Sequence, residues 1–81
     1  MGNITYYVAL SFDRDTEGEL IALDPVEAQS STQAVSRAQS QAATKAGAIA
    51  FSRTGDPNVG EFEDAKVLWQ GGDVPEDAVK G

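Results

Sequence analysis

Ala34, Ala38, Ala42 and Ala46 recur at every fourth position, with Val35 and Ala43 beside them. That spacing places them on one face of an α-helix, and the face is built almost wholly from methyl groups. Such a face buries little apolar area, at about 25 cal/mol per Å2, but it lets the helix axis lie very close to what it covers. The large core side chains must therefore come from a sheet. Close packing of one helix on that sheet is the expected use of the stripe, and a helix–helix contact with a partner is the alternative. Ser30 caps the helix and Gln33 reaches back in an S-x-x-Q capping box. Gly47 supplies a left-handed stop. Ser36, Arg37, Gln39, Ser40, Gln41 and Lys45 face water.

The remaining segments read as strands. Ile4–Phe12 alternates, with Ile4, Tyr6, Val8, Leu10 and Phe12 on one face and Thr5, Tyr7, Ala9 and Ser11 on the other. Asp13–Gly18 is a charged turn in which Gly18 is free to take positive φ. Glu19–Ala28 is a second strand, and Pro25 confines it to a sheet edge or bends it at Asp24-Pro25. Ala48–Arg53 is the third strand, Thr54–Gly60 a turn, and Glu63–Gln70 the fourth strand, ending at Gly71-Gly72. The expected fold is α+β, in the order β-β-α-β-β. Its antiparallel four-stranded sheet has the strand order 2-1-3-4, with one helix packed on one face. A β-grasp arrangement is the topological runner-up. Residues 1–72 form the single domain and 73–81 a mobile C-terminal tail.

One helix covers one face, so the other is left open. Tyr7, Ala9 and Ser11, with Leu68 or Trp69 from the fourth strand, are placed on that open face as a candidate interaction surface. Which set of the fourth strand faces the helix is not fixed, because a one-residue slip exchanges the faces.

Composition narrows the chemistry. The 81 residues hold thirteen acids and six bases, for a net charge of −7, and contain neither Cys nor His. Without Cys there is no disulfide, thiolate metal site or Cys nucleophile. Without His the usual proton-transfer group and metal ligand are missing. The bases are scattered and the surface is acidic, which argues against nucleic acid and anionic membrane. The longest apolar or Gly run, Ala46–Phe51, is far short of the about 20 residues a bilayer requires. These features predict a cytoplasmic protein with no cofactor and no enzymatic activity.

The turn region Arg53–Asp64 is the second candidate site. Arg53, Asp56, Asn58, Glu61 and Asp64 gather one cation and several oxygen donors within twelve residues. A small ligand or a cation is the chemistry they suit, but the calcium-loop spacing is not met. An ion pair of Arg53 across the hairpin is the simpler expectation. Trp69, the one Trp, is either core or an anchor for a partner.

Tyr6–Leu10 (YYVAL), the Ala-rich helix, and Ala48–Gly60 followed by Glu61–Ala65 (AFSRTGDP…GEFEDA) occur in that order. This arrangement resembles a family of short bacterial proteins of unknown function. The resemblance implies a bacterial cytoplasmic origin and carries no activity. The residues favour a non-catalytic interaction module that uses the open sheet face or an edge strand to bind a protein partner or a second copy. Ligand or cation binding at Arg53–Asp64, regulatory or enzymatic, is the alternative.

Overall fold

β1 (Ile4–Arg14) and β4 (Gly47–Asp56) form the centre of the sheet, paired antiparallel without interruption from Ile4 opposite Gly55 to Phe12 opposite Gly47. The computed structural model describes residues 3–76 and 78. Around this pair lie β2 (Leu20–Ala22), β3 (Val26–Ala28), β5 (Glu61–Phe62) and β6 (Lys66–Gly72), and the helix α1 (Ser31–Thr44) packs on one side. The fold is α+β, with one helix on an antiparallel sheet.

The expected count and order of strands need correction. The sheet has six strands in the path β2-β1-β4-β5, with β3 also on β1 and β6 also on β4. Each outer line is two short strands, for a local reason. Between β2 and β3, Pro25 has no N–H to give to a ladder. There, three residues of outer chain (Leu23, Asp24 and Pro25) run beside two of β1 (Ser11 and Leu10). Between β5 and β6 the Glu63 amide still donates to the Thr54 carbonyl at 2.8 Å, and Asp64 and Ala65 then leave the ladder. A register shift then sets Val67 opposite Phe51 but Trp69 opposite Ala50, with Leu68 as the extra residue.

That shift decides how β6 meets the helix. In a regular strand Leu68 and Trp69 would point to opposite faces. Here both pack against the cluster of Ala9, Ala28, Ala34, Ala38, Ala48 and Ala50 under α1. Two large side chains on one edge thus flank a seat of small ones. The helix rests on Ala9, Ala48 and Ala50, and its own Ala34 and Ala38 complete a fully buried methyl layer. Ser11 and Ser52 lie in the same small-residue rows and are buried too.

The helix ends differ in how well they follow expectation. Ser30 Oγ accepts from the Gln33 amide at 3.1 Å, as a capping residue does. The Gln33 side chain reaches one residue further back than in the standard box, and its Oε1 accepts from the Gln29 amide at 2.8 Å. At the other end Gly47 is not a left-handed stop. Lys45 is the C-cap in an extended conformation, its amide donating to the Gln41 carbonyl at 2.8 Å, and Gly47 already belongs to β4. Positive φ occurs at Gly18, Gly60 and Gly72.

Gly47 is small for another reason. A Cβ there would collide with the carbonyl oxygen of Asp73 and lie 2.6 Å from its amide nitrogen. Gly72, at φ 72°, turns the chain back, and the Asp73 amide donates to the Ala46 carbonyl at 2.9 Å. Asp73 Oδ2 receives Arg14 Nη2 at 3.1 Å. Asp73 lies in the segment expected to be a tail, and it is tied to both central strands. Of that segment, Asp77 and Val79–Gly81 lie outside the described residues.

Candidate functional site

The two faces of the sheet are the reverse of the sequence expectation. Tyr7, Ala9 and Ser11 face the helix: Ala9 is 0% and Ser11 3% exposed, and Tyr7 packs against the same cluster as Trp69. They cannot form an open surface. Of the two expectations for Trp69, the structure gives core packing, with the indole ring seated over Gly71.

Strand pairing identifies the other face. Tyr6 lies opposite Arg53, Val8 opposite Phe51, Leu10 opposite Ile49 and Phe12 opposite Gly47. Val8 is also opposite Glu27 of β3, and Phe51 opposite Val67 of β6. One row thus reads Glu27, Val8, Phe51, Val67 across the sheet. Among the described residues no helix covers this side.

Both ends of the face are closed by backbone approaches at glycine. At one end Asp73 crosses Gly47, above the row that holds Phe12, and Phe12 is only 3% exposed. At the other, a Cβ on Gly55 would lie 2.6 Å from the Phe62 ring, and that ring meets Tyr6 with centroids 5.8 Å apart and planes at 43°. Such tilted aromatic pairs are worth about 1 kcal/mol beyond their buried area. Ile49, opposite Leu10, is closed off with Phe12 at 2% exposed, and the open part of the face lies towards the other end: Ile4 is 46% and Val67 45% exposed, and Tyr6, Val8 and Phe51 are half-buried.

The face is less acidic than the chain as a whole. Its strands carry Arg14 and Arg53 against Glu27, with Asp73 at the closed end, a more even mix than the −7 of the whole chain. Arg14 and Asp73 already neutralise each other, while Glu27 and Arg53 stand on different strands.

The Arg53–Asp64 turn does not gather its charged groups. Arg53 Nε donates to the Glu63 carbonyl at 3.3 Å, a backbone contact where an ion pair with Asp56, Glu61 or Asp64 was expected. Asp56 Oδ1 accepts from the Asn58 amide at 2.9 Å, and the Asp56 carbonyl accepts from Gly60 N at 2.9 Å. The Asp56 side chain is therefore engaged in building the turn, as an Asx residue does, and Asn58 contributes its backbone amide. Glu61 and Asp64 are exposed. Among the described residues no three acids stand close enough to hold a metal ion. A shallow hollow bordered by Asn3, Gly60, Glu61, Phe62 and Glu63 lies beside the turn, open to solvent.

A second shallow groove runs between α1 and β6, lined by Ser31, Thr32, Val35, Ser36, Gln39 and Leu68. It has hydroxyl and amide groups but no charge, and no residue able to act as base or nucleophile with a partner group.

Sequence reasoning missed Tyr6, Val8, Phe51, Phe62 and Val67 as surface residues. A signal for them existed. A helix face of alanines requires equally small residues opposite, and Ala9, Ser11, Ala48, Ala50 and Ser52 are the small rows of β1 and β4.

No family model matches the chain, and comparison with curated proteins and with solved structures finds none similar to it.

Proposed function

We propose that this protein is a non-catalytic interaction module that docks a protein surface on the helix-free face of its sheet. The observation that carries this reading is the uncovered row Val8, Phe51 and Val67, continued by Tyr6, Ile4 and Phe62. A folded chain gains by covering such side chains, and exposed apolar patches of this kind mark association sites. The partner surface is apolar, because the open part of the face is built from apolar side chains.

The face is favoured over an edge strand. β2 and β3 have three residues each and are separated by Pro25. β6 is longer, but it carries Lys66, the extra residue Leu68 and the pair Gly71-Gly72. Short strands, bulges and an edge lysine are the devices that blunt edge pairing. A catalytic role has no support in the absence of His and Cys and with the acids of the turn apart. The resemblance of the YYVAL and AFSRTGDP segments supports a bacterial cytoplasmic setting.

The test is affinity capture from a bacterial lysate that also contains untagged copies of the chain. Bait with Val67→Lys is compared with wild type and with Ser40→Lys, at an exposed position of the helix away from both grooves. The expected result is a partner held by wild type and Ser40→Lys and lost by Val67→Lys. Equal retention by Val67→Lys refutes the assignment of the face.

A further inference from the structure

We propose that the chain beyond β6 is a releasable strap laid across one end of the helix-free face, and that it competes with the docking partner for that end. The competition rests on the reading of the face given above; the strap itself does not.

Ile49 and Phe12 stand on the side of the sheet that no described helix covers, yet they are 2% and 3% exposed. Ile4 and Val67, on the same side, are 46% and 45% exposed. A cover therefore lies over one end only. Residues two apart on a strand share a face, so a Cβ on Gly47 points to the side of Ile49. There it meets the backbone of Asp73. Gly72, at φ 72°, folds the chain over that side as it leaves β6. Val74, Pro75 and Ala78 belong to no strand and are half-buried, while Glu76 is exposed. Apolar residues shielded and the acid in water is the pattern of a segment lying on an apolar surface.

Little holds this segment down. Among the described residues its polar ties to the rest of the chain are the Asp73 amide on the Ala46 carbonyl and the Arg14–Asp73 pair. The two side chains of that pair are 50% and 59% exposed, so the pair contributes little. Pro75 has no N–H to give to the sheet, and the Ala78 amide turns back to the Pro75 carbonyl at 3.2 Å. β1 and β4, by contrast, pair without a break from Ile4 to Phe12. A segment with few buried contacts and exposed hydrogen bonds opens before such a ladder does. Gly71-Gly72 supplies the hinge. With the strap off, Leu10, Phe12 and Ile49 join Val8, Phe51 and Val67 in one apolar strip along β1 and β4. With it on, a partner that needs the longer strip binds more weakly, in proportion to the fraction of chains that are open.

The experiment uses full-length variants, with the uncharged apolar dye Nile red as probe and amide hydrogen exchange as a second readout. Val74→Asp loosens the strap from its own side and Gly47→Ala from the side of the sheet. Each is expected to raise dye emission at least about three-fold with far-UV circular dichroism unchanged. Ser30→Ala, which weakens the helix cap and leaves the strap alone, keeps wild-type emission. In the wild-type chain the Asp73 amide is at least about ten-fold less protected than the slowest amides of β1 and β4. In the lysate capture both strap variants hold at least about three-fold more partner than wild type.

Unchanged dye emission in both strap variants overturns the strap. So does a rise shared by Ser30→Ala, or an Asp73 amide as protected as the slowest of the central ladder. A rise in emission without a gain in capture, where Val67→Lys still loses the partner, overturns the competition and leaves the docking reading standing. Capture indifferent to Val67→Lys overturns the docking reading and the competition together, while dye and exchange still decide the strap.

Discussion

Gly47→Ala separates two opposing effects, and the structure determines which wins. Gly47 has no positive φ, so its backbone accepts alanine without strain. Considered alone, the change stabilises the protein by about 0.4–1 kcal/mol through a less flexible unfolded chain. The Asp73 backbone, however, occupies the space of the new methyl group. Displacing it breaks the Asp73 N–H to Ala46 hydrogen bond, worth about 1 kcal/mol. The Arg14–Asp73 pair is roughly half exposed on both sides and adds only a few tenths. Phe12 lies in the row beneath the crossing, and re-exposing about a third of its ring costs about 1 kcal/mol more. The net expectation is a loss of about 1–2 kcal/mol, or about 5–10 °C in Tm for a domain of this size. Urea unfolding followed by Trp69 fluorescence measures it, and hydrogen exchange at the Asp73 amide localises it. A variant as stable as wild type, or more so, refutes the claim that Asp73 packs directly on Gly47.

Three further outcomes follow from the packing and the caps. Ala38→Leu forces a large side chain into the methyl layer between α1 and β4 and costs about 1–3 kcal/mol by urea titration, while exposed Ser40→Ala stays within about 0.5 kcal/mol. Ser30→Ala removes the acceptor for the Gln33 amide and lowers stability by about 1 kcal/mol, seen as a lower midpoint in helix-monitored melting. Asp56→Ala frees the Asn58 amide and destabilises by about 0.5–1.5 kcal/mol, and millimolar calcium leaves the wild-type midpoint unchanged; a calcium-dependent rise that Asp56→Ala abolishes restores the ligand-binding reading of the turn.

How far the sequence could be read depends on whether the signal was periodic or reciprocal. The alternation of Ile4–Phe12 and the cap at Ser30 are local signals, and each marks its element well. The choice of covered face is reciprocal: it depends on what α1 can accommodate. Reading large residues as inward placed Tyr7, Ala9 and Ser11 outside, whereas an alanine helix fits only over small rows. Gly47 shows the same limit, because the atom that excludes its side chain belongs to Asp73, far along the chain. Arg53 and its neighbouring acids lie close in sequence, yet backbone groups engage Arg53 and Asp56 before any side-chain cluster can form.

Leu68 has a consequence for how this chain tolerates changes in length. Loss of one residue from a strand normally exchanges its two faces beyond the break and is among the harshest lesions a sheet can suffer. At Leu68 the opposite holds. The flanking residues Val67 and Trp69 already face neighbouring positions of β4, Phe51 and Ala50, so removing Leu68 restores regular pairing. Gene variants lacking that codon keep Val67 on the outer face and Trp69 beneath the helix, and give up one wall of the groove beside Val35. β6 can therefore shorten at this point without rewriting either side of the sheet.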